Sequence, residues 1–322
     1  MLQSCMNKPQ ESSTLKQYLG VYKRLKSAKV NLNDPKAVKA FLDVQKGHNG
    51  EPFKETTRRN YYIALLGLHG KHVNGAKKKP FQLTKKARAA YLKINEKLYE
   101  EKLELDNRQE MTPRMKQNWL TWEEFGNILN KEKEKCIKLE SEGTSLAIMF
   151  QVQKVLVLLM YYLVPPLRLE YADMVIVKTL PKDPKWNYIT TSDMKMHLYK
   201  FKTVKSVKPQ DWDLSCHPEI RAYSKKLLKH RNNKKNKIDP EQANFMLLNS
   251  HNCKKMTRVG LSIYLNKLFQ RKVSSTMLRR IYLSENFPVT RGQSVADRKA
   301  VLPIMGQKHL DIQDCYRKII DK

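Results

Sequence analysis

Apolar residues recur at helical spacing through most of the chain. Leu15, Tyr18, Leu19, Tyr22 and Leu25 fall at i, i+3, i+4, i+7 and i+10, which predicts one face of a first helix. Asp34-Pro35 reads as an N-cap followed by a first-turn proline, and Val38, Phe41 and Leu42 form the stripe of a second helix. A third starts at Thr56 or Thr57 in "TTRRNYYIALLGLHG", and a fourth runs through "LTKKARAAYLKINEKLYEEK". Over 103–120 the rhythm fades around Pro113, which predicts an interdomain linker. The boundaries expected are 1–105 for a helical domain, 106–120 for the linker and 121–322 for a second domain. Thr121, with Glu124 three residues on, is a capping box that restarts a helix. A long apolar helix follows over about 145–163 and stops at Val164-Pro165-Pro166. Its most apolar part, 155–164, is too short to span a bilayer and predicts a buried helix. Short period-two runs come next: "ADMVIVKTL", "NYITT", "MHLYKFKTV" and "DWDLS". Helical patterns then return in "PEIRAYSKKLLKHR", "RVGLSIYLNKLFQR", "STMLRRIYLSEN", "SVADRKAVLPIM" and a last segment bearing Tyr316. The fold class expected is mainly α with a small β-sheet, an α+β arrangement.

Charge narrows the function. The chain has 322 residues, enough for two cores, and carries 62 Lys and Arg against 31 Asp and Glu, a formal charge of +31. This excess is spread along the sequence instead of sitting in a tail, so the field favours polyanions, nucleic acid above all. Arg58 and Arg59 in the third helix, and Lys85, Lys86 and Arg88 at the start of the fourth, oppose the helix dipole. Contact with a DNA backbone is one reason for them to be there, an ordinary solvated face the other. The first residues are polar and lack the apolar core of a signal peptide. Five scattered cysteines without a C-x-x-C pair point to a reducing, intracellular compartment and to no zinc site.

Three stretches hold a cationic side chain at the end or in the middle of a regular element. They are Arg168 in "PPLRLEYADM", Lys202 in "YKFKTVK" and Arg279 in "STMLRRIYLSE". An arginine flanked by Leu278, Ile281 and Leu283 must be paired, with a carboxylate or with a phosphate. Two arginines, a lysine and a tyrosine make a coherent set for cleaving a phosphodiester.

In order and spacing, Arg168, Lys202, Arg279, "MGQ" and Tyr316 resemble the tyrosine recombinase (phage integrase) family, in the style of integrases from large DNA viruses and virophages. "TMLR" resembles the family's H-x-L-R segment, and Gln307 lies nine residues before Tyr316, as the family's Leu-Gly-His turn does. The resemblance implies an N-terminal helical core-binding domain and a catalytic domain. It further implies a site-specific recombinase acting through a 3′-phosphotyrosine, without metal, ATP or other cofactor, on double-stranded DNA as a homotetramer and without a membrane. Arg168 and Arg279 would clamp the phosphate, Tyr316 attack it, Lys202 protonate the leaving 5′-oxygen, and Gln307 bond a non-bridging oxygen. Two positions depart from the pattern. Thr276 replaces the first histidine and Gln307 the second; both can donate a hydrogen bond, and neither titrates near neutrality. His309 and Arg280 are accessory candidates. The alternatives are a type IB topoisomerase-like relaxing enzyme, whose Ser-Lys-x-x-Tyr signature is absent, and an inactive basic DNA-binding relative. Only "RKIIDK" follows Tyr316, so either the tyrosine helix is exchanged between subunits or subunit contacts come from elsewhere.

Overall fold

The computed structural model describes residues 13–47, 50–73, 80–204, 208–288 and 295–320. It is mainly helical, with one four-stranded mixed sheet, and divides into two compact units at Arg108 and Gln109.

The first unit contains α1 (Ser13–Ser27), α2 (Pro35–Asp43), α3 (Glu55–Leu68) and α4 (Lys85–Asn107). Asp34 caps α2 by accepting from the Lys36 amide, with Pro35 in the first turn, where its missing N–H costs nothing. Thr84 caps α4 in the same manner. Helix α3 begins at Glu55, a residue or two before the expected threonines, and its cap position, Lys54, makes no side-chain cap bond. Tyr22, Leu25, Val38, Leu42, Tyr61, Leu65, Leu68 and Tyr91 form the core. The Tyr91 hydroxyl donates to the Leu32 carbonyl at 2.9 Å, so the phenol is buried without an orphaned polar atom. Helix α4 continues past the point where the apolar rhythm fades, and Leu103 and Leu105 in its last turns are exposed.

In the second unit, the segment expected as a linker carries structure of its own. A short helix, α5 (Pro113–Asn118), is capped by Thr112, and Trp119 and Leu120 are buried in the main core. The capping box at Thr121 and Glu124 opens α6 (Trp122–Glu142). The Glu124 carboxylate also takes Arg271 at 2.7 Å; this hydrogen bond, more than the cap, holds it below the usual carboxylate range. Helix α7 (Ser145–Leu163) runs further back than its most apolar stretch, and its 19 residues are long enough to cross a bilayer. It is instead the core helix, with every residue from Val155 to Tyr161 buried, and it packs between α6 and α8 (Pro218–Arg231). Each such fully buried aliphatic side chain contributes about 1.5–3 kcal/mol.

The sheet has the order β1 (Met174–Val177), β2 (Asn187–Thr190), β3 (Lys195–Leu198) and β4 (Gln210–Asp213). The first pair is parallel and the other two are antiparallel. Further helices complete the unit among the described residues. They are α9 (Pro240–Ala243), α10 (Arg258–Phe269), α11 (Ser275–Asn286), α12 (Val295–Ala300) and α13 (Leu310–Tyr316), with 3-10 turns at Glu170–Asp173 and Lys234–Asn236.

Candidate active site

Arg168 follows directly from the way α7 ends. Val164 precedes Pro165, and a residue before proline is pushed out of the helical region; Val164 accordingly sits at φ −115°, ψ 143°. The chain leaves the helix through buried Pro165 and Pro166 and reaches Arg168, which is half-buried. The Tyr161 hydroxyl donates to the Arg168 carbonyl at 2.8 Å, fixing this turn from within the helix. Tyr171 packs edge-on against Tyr161, with ring centroids 4.9 Å apart, and its hydroxyl donates back to Met160.

Arg279 lies in the middle of α11 and is completely buried. Its guanidinium donates to the Pro166 carbonyl at 2.9 Å and to the Met305 carbonyl at 2.8 Å, while Nε has no partner. No carboxylate lies within ion-pair distance of it among the described residues. Burial, with the like charge of Arg168 adding to it, pushes its pKa down to about 10, so it is cationic at neutral pH. A buried cation whose partners are two carbonyls and the Tyr316 phenol, with no carboxylate among the described residues, is a costly arrangement that an anion relieves.

Tyr316 is the last residue of α13, and its ring faces both arginines of α11. The guanidinium carbon of Arg279 is 5.2 Å from the ring centroid and that of Arg280 is 5.9 Å from it. Burial raises the phenol's pKa. The charges of Arg279 and Arg168, with hydrogen bonds from both, outweigh burial, and the net shift is below the ordinary tyrosine value. The residues around the tyrosine are pinned. Gln313 donates to the Arg298 carbonyl at 2.9 Å, and Arg317, itself buried, donates to the carbonyls of Phe287 at 2.7 Å and Pro288 at 2.9 Å. The Ile319 amide bonds the Gln109 carbonyl at 2.9 Å, so the backbone after the helix is fixed within the same unit. Ile319 itself is exposed and lies beyond the helix; it does not share an apolar helical face with Tyr316.

Gln307 is buried, and neither its Oε1 nor its Nε2 has a hydrogen-bond partner. Leaving both ends of an amide unmet costs about 1–3 kcal/mol per group. The turn that carries it is built on Gly306 at φ +59°, a left-handed conformation that favours glycine. A Cβ there would meet Thr203 Oγ1 at 3.0 Å and Phe201 Cδ2 at 3.4 Å, because the loop between β3 and β4 packs against this turn. The Thr203 hydroxyl donates to the Gly306 carbonyl at 2.7 Å, and Lys202, next to it, is exposed. A connected path thus runs from Lys202 through Thr203 and Gly306 to Met305, Arg279 and Tyr316. Gly306→Ala should strain the turn by about 1–2 kcal/mol and lower any activity of the site about tenfold. A melting curve beside a rate measurement checks this.

The structure therefore gathers Arg168, Arg279, Arg280, Gln307 and Tyr316, and links Lys202 to them through its loop. Thr276 is exposed in the first turn of α11, three residues before Arg279, and His309 is exposed at the N-cap of α13; of the two candidates at that turn, Gln307 is the buried one. In the first unit, Arg58 is engaged by Asp43 at 2.7 Å and by the Phe53 carbonyl, and Arg59 stacks on Tyr99. Lys85, Lys86 and Arg88 are exposed.

Two features of the site were not singled out from the sequence. Glu170 is buried, with Oε2 lacking a partner, and its charge acts on Arg279. An acid two residues after Arg168 was the available signal. Asn187 supports the lysine loop, and no local pattern marks it. A cavity of about 580 Å³ between α7 and α10, lined by Gln153, Lys154, Tyr264 and Lys267, contains none of these residues. No family model matches the chain, and no curated protein or solved structure resembles it at a significant level.

Proposed function

We propose that the protein cleaves and rejoins DNA through a covalent 3′-phosphotyrosine, as a tyrosine recombinase does. In this reading the first unit is the core-binding domain and the second the catalytic domain. The observation that carries the reading is a fully buried arginine without a carboxylate partner among the described residues, Arg279, whose guanidinium carbon lies 5.2 Å from the centre of the Tyr316 ring. The charges of Arg279 and Arg168 are in keeping with it, holding the phenol's pKa below its ordinary value.

The steps follow from charge. A scissile phosphate seated between the two guanidinium groups gives Arg279 the anion that its burial calls for. The phenol gives up its proton to solvent, and the phenolate attacks phosphorus. A bond forms between Tyr316 Oη and phosphorus as the bond from phosphorus to the 5′-oxygen breaks. The Lys202 ammonium transfers a proton to that oxygen, leaving a 5′-hydroxyl. Charge building on the non-bridging oxygens meets the arginines and the unpartnered Gln307 amide; one such donor is worth on the order of 100-fold to 1,000-fold in rate. Religation is the reverse and needs no external energy source, because the phosphotyrosine keeps the phosphodiester's bond energy. Four copies on two duplexes would supply the strands for exchange, and the charge of +31 favours tight, salt-sensitive binding.

The test uses supercoiled plasmid and a randomised duplex pool in buffer with a metal chelator, stopped with detergent. Protein joined to DNA 3′ ends is expected, with 5′ ends that polynucleotide kinase labels without prior phosphatase treatment. Relaxed plasmid without recombinant junctions would instead assign the site to a relaxing enzyme. Salt-sensitive binding without any adduct would leave a DNA-binding protein only.

A further inference from the structure

Asn187 opens β2, and its side chain is completely buried. Its Oδ1 accepts from the backbone amides of Tyr199 at 2.9 Å and Lys200 at 2.7 Å. Its Nδ2 donates to the Lys200 carbonyl at 3.0 Å. One side chain thus makes three hydrogen bonds to consecutive peptide groups where β3 has just ended and the strand ladder no longer holds the backbone. Lys202 is two residues further on.

The far side of Lys202 is anchored as well. Phe201 is buried against the core, and the Thr203 hydroxyl holds the Gly306 carbonyl at 2.7 Å. The neighbouring lysine is engaged elsewhere, with the Lys200 ammonium 4.3 Å from the centre of the Trp186 ring. Lys202 is exposed and is carried between two backbone anchors, one from β2 and one from the turn of Gln307.

We propose that Asn187 is a positioning residue for Lys202, holding the base of the lysine loop so that the ammonium reaches the leaving 5′-oxygen. This rests on the reading of Tyr316, Arg168, Arg279 and Lys202 as a strand-cleaving site. A general acid works only within hydrogen-bond reach, about 2.6–3.2 Å, of the atom it protonates. A loop that drifts by about 1 Å can cost on the order of 100-fold. A lysine on a flexible four-carbon stem cannot correct for a displaced backbone without losing further side-chain entropy.

A role in proton delivery differs from general support of the sheet in one observable, the dependence on the leaving group. The probe is the duplex recovered by covalent selection from the randomised pool, synthesised with oxygen or with sulfur at the 5′ bridging position. A thiolate departs without a proton, so cleavage of the sulfur duplex does not need the lysine. Asn187→Ala should slow cleavage of the oxygen duplex about 100-fold and leave the sulfur duplex at the wild-type rate, the pattern also expected of Lys202→Ala. Thr203→Val, a near-isosteric change in a half-buried loop residue, should give the same pattern with a smaller loss. It keeps the question open to measurement if Asn187→Ala does not fold.

Equal losses on both duplexes would reduce Asn187 to a structural residue, and no loss on the oxygen duplex would remove it altogether. Hydrogen exchange of the uncut protein reads the anchoring without any activity. The Tyr199 and Lys200 amides should exchange faster in Asn187→Ala, and unchanged protection would overturn the proposal. Failure of the underlying reading looks different. The wild-type protein would then form no adduct, or Lys202→Ala would ignore the leaving group, and the proposal would fall with the site itself.

Discussion

Tyr316→Phe is expected to abolish covalent capture of DNA and to leave binding unchanged. Phenylalanine keeps the ring that lies 5.2 Å from the Arg279 guanidinium carbon and packs against the core, so the fold around α13 is retained. Only the hydroxyl, on which both arginines act, is removed. Loss of a covalent nucleophile removes the route itself, and a drop of about 10,000-fold or more is expected. Denaturing gels of protein incubated with end-labelled duplex read the adduct, and fluorescence anisotropy reads binding. A phenylalanine variant that still captures DNA would take Tyr316 out of the role.

The second large effect is at Arg279. Alanine there leaves the Pro166 and Met305 carbonyls without their donor, at a cost to stability of about 1–3 kcal/mol for each unmet group. It also removes the larger of the two charges that oppose burial at Tyr316. Cleavage should fall on the order of 100-fold to 1,000-fold beyond what loss of folded protein explains. The sign of the pH effect follows from the same balance. With both arginines the phenol ionises below its ordinary value, so the rate climbs with pH through a titration that starts lower than that of free tyrosine. In Arg279→Ala, burial is less opposed, and the rising limb should move to higher pH. Arg279→Lys separates charge from geometry: it restores a cation but not the fork that reaches two carbonyls at once. Recovery of the pH limb without recovery of stability is the expected outcome.

Much of this was legible in the chain because it is local. Helical periodicity gave α1, α2, α8 and α11, and the Thr121 and Glu124 pair announced its capping box three residues apart. The four short β-like runs became the four strands. Arg279 drew attention as a charge on an apolar helix, and its burial follows from Leu278, Ile281 and Leu283 beside it. What could not be read depends on residues distant in sequence. Arg58 meets Asp43 across 15 positions, a pairing that no local pattern announces. Asn187 closes on Lys200 across 13, and Thr203 on Gly306 across 103. The expected linker hid a helix because α5 is only six residues long, too short to display a period. Thr276 stood out by its place in the H-x-L-R-like segment and His309 by its nearness to Gln307, and neither signal tells which side chains a fold buries.

The central claim is a bond between one side chain and DNA, and peptide mapping tests it most directly. Adduct formed with the randomised duplex pool would be digested with nuclease and trypsin, and the nucleotide-bearing peptide sequenced by mass spectrometry. The expected result is a single modified peptide carrying a 3′-linked nucleotide on the phenolic oxygen of Tyr316. A nucleotide on any other residue, or one attached through its 5′ end, would contradict the account.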